Sequence, residues 1–235
     1  MASSFEPAHS LAGHPYLAGV PDVLLARMLL QARWIQVGPG EMVLDFDDHS
    51  TDVFFVMQGS IRVVIRTADG EHAQILDDLN AGDLMGEMAA LDDAPRSARA
   101  EALVRTQLCA VPGAAFRELL FASPPVTLRL MHLLASRIRL QNRRLLEHTV
   151  LPTRLRLAAE LLRLSRPRAD GTRVVSPPPT HDELASRVGA RRETVTRELA
   201  ALSRAGQILR SRAAVVLLVP EQLRQMAAGG IAPPG

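Results

Sequence analysis

The stretch THDELASRVGARRETVTRELAAL, residues 180–202, reads as a helix, a tight turn and a second helix. Thr180 offers a side-chain oxygen for an N-cap, and Glu183, three positions later, completes a capping box. Leu184, Ala185 and Val188 recur at helical spacing and form an inner face, Gly189 supplies the turn, and Val195, Leu199 and Leu202 hold the second helix down. Arg191, Arg192, Glu193, Thr196 and Arg197 are then left on the outer face of the second helix, toward its amino end. In a helix-turn-helix that face enters the major groove, where a guanidinium bonds bidentately to guanine and a carboxylate accepts from cytosine. Downstream, residues 207–210 and 213–219 flank Ser211-Arg212 as a β-hairpin, which suits a wing.

The charge distribution agrees with a polyanionic partner for this half. Residues 1–151 carry 13 Arg against 18 Asp and Glu, whereas residues 152–235 carry 14 Arg against 7, so a formal net charge of +2 conceals a basic carboxyl-terminal half. The chain holds 235 residues with 47% hydrophobic content, enough for one or two cores. No apolar run approaches the ~20 residues of a membrane span, and MASSFEPAHS lacks the flank of a signal peptide. A soluble cytoplasmic protein without a membrane partner is expected. The single Cys109 excludes a disulfide framework and a cysteine-ligated metal or iron-sulfur site within one chain, and its apolar setting predicts packing. No nucleophile, base and orienting group stand in a recognisable setting, so an enzyme is not expected and no metal site is assigned.

Working back toward the amino terminus, short apolar runs from 34 to 111 alternate with turn signals: VGPG at 37–40, FDDHS at 46–50, MQGS at 57–60, TADGE at 67–71 and NAGD at 80–83. This spacing predicts an all-β barrel or roll. Strands over 61–65 and 73–76 joined through Ala68, Asp69 and Gly70 make one hairpin. From Pro125 to about Val150 neither Gly nor Pro interrupts a helical period, which predicts a helix of about 25 residues. Met131, Leu134, Ile138, Gln141, Leu145 and His148 are spaced 3, 4, 3, 4, 3 along it, the alternation of a coiled-coil seam, with Arg137, Arg139, Arg143 and Arg144 flanking the stripe. A homodimer is implied. Pro152 breaks that helix and marks a hinge at Leu151-Pro152, and a second amphipathic helix follows over about 153–164.

The string GDLMGEMAALDDAPRSA, residues 82–98, carries a second kind of chemistry. Backbone amides at a helix start around Gly86, Glu87 and Met88, together with Arg96, suit a singly charged cyclic phosphate. Glu87 cannot favourably face a phosphate, so it is assigned a sugar hydroxyl such as the ribose 2′-OH. Ser97 adds a donor for the phosphate or a contact to a purine edge. The alternative is an internal Glu87–Arg96 ion pair in a protein that has lost its ligand.

Arg191-Arg192-Glu193-Thr194-Val195-Thr196-Arg197 resembles the recognition helix of the catabolite activator (cyclic-AMP receptor protein) family, within the CRP/FNR superfamily, and the resemblance runs from Trp34 onward. Residues 82–98 resemble the phosphate-binding cassette of cyclic-nucleotide-binding domains. The resemblance implies an α+β fold: a cyclic-nucleotide-binding-type β-roll with flanking helices over 1–124, a long dimerisation helix over 125–151, and a winged helix-turn-helix over 152–235. It implies that Arg192, Glu193 and Arg197 meet base edges, while Thr180, Asp182, Arg191 and Thr194 fall where the family touches phosphates. Asp182 departs from that pattern, since a carboxylate repels phosphate. Gln141 and Asn142 fall against the nucleotide base, where amides serve either purine. The implied effector is a cyclic nucleotide, cyclic AMP ahead of cyclic GMP, with no covalently bound cofactor. The implied partners are palindromic double-stranded DNA with TGTGA-like half-sites, RNA polymerase and a second copy of the chain. The alternative is a regulator of the same fold that is ligand-independent or senses another small molecule.

Overall fold

Side chains alternate across a strand with a period of two, so a strand apolar at every position must be covered on both faces. The computed structural model, which describes residues 10–11, 13–66 and 73–228, shows this in its central strands. Helix α1 (Asp22–Leu29) precedes strands β1 (Arg33–Val37), β2 (Met42–Leu44), β3 (Val53–Gln58), β4 (Ser60–Arg66), β5 (Ala73–Asn80) and β6 (Leu84–Met85). The short helix α2 (Glu87–Asp92) separates these from β7 (Arg99–Ala102) and β8 (Thr106–Val111). The strands pair antiparallel in two sheets, ordered β1-β8-β3-β6 and β2-β7-β4-β5. Phe54, Val56, Leu108 and Ala110 pack in one apolar cluster with Leu44, Ile61 and Leu79 of the second sheet. Val53, Phe55, Cys109 and Val111 belong to another, with Phe116 and Leu119 of helix α3 (Gly113–Ala122) and with Val126 and Leu130.

The hairpin expected around residues 61–76 is present as β4 paired with β5, Arg66 opposite Ala73. Its turn at Ala68, Asp69 and Gly70 lies outside the described residues. Cys109 is fully buried, and burial pushes its thiol up to about 12. A packing role follows.

Helix α4 runs from Pro124 to Val150. Along it Met131, Ile138, Gln141 and Leu145 are exposed in the single chain, as is Leu128, leaving an apolar stripe uncovered. Three members of the expected pattern are engaged within the chain instead. Leu134 packs against the core beside Phe116, His148 meets Arg156, and Arg144 is buried rather than flanking a solvent-facing stripe. The described chain divides into two compact units between Ala135 and Ser136, in mid-helix, whereas the sequence-based division follows the helix ends at 124 and 151. The physical reason is that Arg144, Glu147 and His148 make their contacts with the carboxyl-terminal unit.

That unit contains α5 (Thr153–Leu164), β9 (Arg166–Pro167), β10 (Arg173–Val175), α6 (His181–Val188), α7 (Arg192–Arg204), β11 (Ile208–Arg210), β12 (Val215–Leu217) and α8 (Pro220–Ala228). Pro152 is the N-cap of α5, in extended conformation, and its missing N–H and ring prevent α4 from continuing through it. The strands form one sheet, β11-β12-β10-β9, so the wing is backed by two further strands, of which β10 ends just before the prolines at 177–179. Leu157, Leu161, Leu184, Val195, Leu199, Leu202 and Leu217 form its core.

Beside this core lies a cluster of buried charge. Glu147 and Glu160 are 4% and 1% exposed. Arg163 donates from Nη1 and Nη2 to both oxygens of Glu147 at 2.8 and 2.9 Å, and from Nε to Glu160 Oε2 at 2.8 Å. Arg187 and Arg144 approach Glu160 Oε1 at 3.5 and 3.9 Å. Burial works against the charge of Arg163, but the two carboxylates outweigh it and raise its pKa. Removing one partner from a buried ion pair leaves the others uncompensated and costs about 3–5 kcal/mol. Glu160→Gln is therefore expected to destabilise the carboxyl-terminal unit by that amount in urea unfolding, and an unchanged midpoint would show that the cluster contributes nothing to stability.

Candidate functional site

The cassette is built on a backbone reversal. Strand β6 ends at Met85, and Gly86, with φ of 84°, turns the chain into α2 as its N-cap. A Cβ at Gly86 would lie 2.6 Å from the Asp52 carbonyl and 2.7 Å from Arg96 Nη1. Only glycine meets both the left-handed φ and the close approach. The expected residues Gly86, Glu87, Met88, Arg96 and Ser97 come together here. Glu87 is 1% exposed and Arg96 3% exposed, while Met88 and Ser97 lie at the rim, with Ser97 Oγ 4.0 Å from Met88 Sδ.

Arg96 sits in a cage of neutral acceptors. Its Nη1 donates to Gly86 O at 2.9 Å, its Nη2 to Asp52 O at 2.7 Å and Ser50 Oγ at 3.1 Å, and its Nε to Ser50 Oγ at 3.2 Å. Burial lowers its pKa, opposed by the nearby charges of Asp48, Asp52 and Glu87, and a guanidinium so placed keeps its proton. Ser50 is itself held by Asp48, to which its hydroxyl donates at 3.0 Å. Ser50 and Asp52 escape a reading by motif because they belong to the β2–β3 connection, 46 and 44 residues from Arg96 in sequence. Gln141 and Asn142 lie on α4 within the second compact unit, both exposed in the single chain.

The second site is the helix-turn-helix. Thr180 Oγ1 accepts from Glu183 N at 3.1 Å while Thr180 N donates to Glu183 Oε2 at 2.7 Å, the reciprocal cap expected from spacing. Gly189 ends α6 with φ of 58°, and a Cβ there would lie 2.7 Å from the His148 ring. Arg191 is the N-cap of α7. Arg192, Glu193 and Arg197 are exposed, and Thr194 is half-buried. Asp182, the departure from the family pattern, has Arg192 as its partner at 3.7 Å. His181 and Arg210, which motif reading did not single out, join this face. Among the described residues there is no cluster of acidic, cysteine or histidine side chains able to hold a metal, and no single helix is long and apolar enough to cross a membrane.

An antiparallel roll with a phosphate-cassette turn, followed by a helix-turn-helix with a wing, defines the class of winged-helix transcription regulators that carry a cyclic-nucleotide-binding-type domain. The comparisons with known proteins agree. Residues 34–123 match the cyclic nucleotide-binding domain, and residues 155–226 match the Crp-like helix-turn-helix domain. The CRP-like cAMP-activated global transcriptional regulator of Mycobacterium tuberculosis is 25% identical over 212 residues, 89% of this chain and 94% of that protein. A CRP/FNR-family transcriptional regulator from Thermus thermophilus is 27% identical with a TM-score of 0.64, covering 84% of this chain and 100% of that one. A CooA mutant from Carboxydothermus hydrogenoformans, at 19% identity, shares the fold with a TM-score of 0.74 over 88% of this chain and 90% of that one. The chain belongs to the CRP/FNR superfamily and is a DNA-binding transcription regulator.

The geometry at Gly86 yields a direct test. An L-residue forced into the left-handed region costs about 1–3 kcal/mol, and the Cβ of Gly86→Ala would also press on Arg96 Nη1. This variant is expected to lose stability in thermal unfolding, whereas Met88→Ala, at an exposed rim position, is expected to unfold with the wild type.

Proposed function

We propose that this protein is a homodimeric regulator whose DNA affinity is controlled by a cyclic nucleotide at the cassette, cyclic AMP ahead of cyclic GMP. The observation that carries this reading is the pairing of Arg96 with the amino end of α2 through Gly86 O. In this reading the guanidinium and the backbone amides of Gly86, Glu87 and Met88 together hold the singly charged phosphate. Glu87 takes the sugar hydroxyl, Ser97 adds a donor, and Gln141 and Asn142 supply amides to the base. The description of the Mycobacterium tuberculosis relative as cAMP-activated supports this choice of effector.

The dimer forms along the exposed stripe of α4, and its two recognition helices read a palindrome of TGTGA-like half-sites, centred about one helical turn apart. Arg192, Glu193 and Arg197 meet base edges, and Thr180, Arg191 and Thr194 meet phosphates. The regulator acts in the cytoplasm, with RNA polymerase as its protein partner. The effector works through its differential affinity for two arrangements of the DNA-reading units. A swing about Leu151-Pro152 requires the Glu147–Arg163 pair to open, because that pair spans the junction.

A second reading is favoured by one observation: the cage around Arg96 is satisfied by protein groups alone, as in a regulator that holds its shape without a ligand. Calorimetric titration with both cyclic nucleotides separates the two. Binding is expected, and Arg96→Ala is expected to weaken it at least tenfold, a loss of about 1.4 kcal/mol or more. Absence of binding, or affinity indifferent to Arg96→Ala, selects the ligand-independent reading. For DNA, binding-site selection is expected to recover a palindrome, and Arg192→Ala to cost ~1–3 kcal/mol on it while relaxing one symmetric pair of G·C positions. Arg191→Ala should instead weaken all sequences alike and flatten the salt dependence.

A further inference from the structure

We propose that His181 is a positioning residue for DNA binding, which aims Arg210 of the wing at the nucleic-acid backbone through a one-directional chain of hydrogen bonds. The proposal rests on the helix-turn-helix and wing binding DNA along their shared face. Arg210 Nη2 lies 2.8 Å from His181 Nε2. A guanidinium can only donate, so Nε2 is the acceptor and the neutral ring carries its proton on Nδ1. Nδ1 lies 2.7 Å from Thr196 Oγ1, and the Thr196 hydroxyl already donates to Arg192 O at 3.0 Å. Thr196 therefore accepts from the histidine. Every donor and acceptor runs one way, from wing Arg210 through His181 and Thr196 to the backbone of Arg192 on the recognition helix.

The chain ties together three elements that must present one surface to the duplex: strand β11, the first turn of α6 and the amino-terminal turns of α7. It also explains why a neutral ring stands among cations. Partial burial, together with Arg210 and Arg192, lowers the His181 pKa, and Asp182 acts in the opposite sense. An imidazolium would present N–H to Arg210 and end the contact. The neighbouring Asp182 faces Arg192 as an exposed ion pair at 3.7 Å, a looser contact than the hydrogen bond between His181 and Arg210.

Two readouts test this with the full-length protein. Long-range proton–nitrogen NMR is expected to show the His181 ring with its proton on Nδ1, reverting toward the Nε2-protonated form in Arg210→Ala. A wild-type ring protonated on Nε2 overturns the proposal. Fluorescence anisotropy is then measured against salt for wild type, Arg210→Ala, His181→Phe and the double variant, on a palindromic TGTGA-type duplex and a scrambled one. Arg210→Ala is expected to reduce the slope of log affinity against log salt by about 1 on both duplexes. His181→Phe is expected to reproduce most of that loss, the double variant to add nothing, and His181→Gln, which can both accept and donate, to restore it. Equal losses from Arg210→Ala with and without His181, or no loss at all, overturn the relay. Failure of the half-site assignment is read separately, as a wild type that binds the palindromic and scrambled duplexes equally.

Discussion

The carboxylate of Glu160, 1% exposed and ringed by Arg163, Arg187 and Arg144, is the constraint on which the carboxyl-terminal unit depends. A charge so deeply placed is tolerated only with partners, and its partners come from three helices: Arg144 from α4, Arg163 from α5 and Arg187 from α6. Arg163 extends the cluster to Glu147 on α4. Proline at 152 breaks the backbone continuity between α4 and α5, so the covalent chain alone would leave their angle free. The ion cluster removes that freedom. It spans the break and seats the first helix of the helix-turn-helix on the end of the long helix, where His148 fills the space that Gly189 leaves open. The cost of desolvating these charged groups is offset here by their mutual contacts, which favour this geometry for as long as the Glu147–Arg163 pair stays closed.

The amino-terminal unit solves a comparable problem with neutral groups. Arg96 is buried against two carbonyls and one hydroxyl, and the nearest carboxylates act on it at longer range. A cation held by neutral acceptors keeps more of its charge uncompensated than one paired directly with a carboxylate such as Glu87. Gly86 makes this possible, since its carbonyl anchors Arg96 while its missing side chain lets the guanidinium approach the helix start.

The first turn of α6 closes its own helix end and also engages two arginines. Thr180 and Glu183 satisfy the helix end reciprocally, and the intervening His181 and Asp182 are directed outward, toward Arg210 and Arg192. Held side chains lose less conformational entropy on binding than free ones, so this arrangement favours a preorganised contact surface.

Local chemistry was sufficient to read the helix-turn-helix, because Thr180, Glu183 and Gly189 act over three or four residues and the apolar period of Leu184 to Leu202 repeats within one turn. The same holds for the roll, whose hairpin β4–β5 follows from alternation and turn spacing, and for α4, whose uninterrupted period has no competing signal. What only the tertiary structure decided are the relations across long sequence separation. Ser50 and Asp52 reach Arg96 from the β2–β3 connection, strand β10 pairs with the wing just ahead of a proline run, and Arg144 turns inward from a helix where pattern placed it at the surface. The physical reason is the same for both arginines: the position of a guanidinium is set by where its acceptors lie in space. Periodicity along the chain records apolar burial and carries almost no information about a buried polar partner 16 or 46 residues away, the separations of Arg163 from Glu147 and of Arg96 from Ser50.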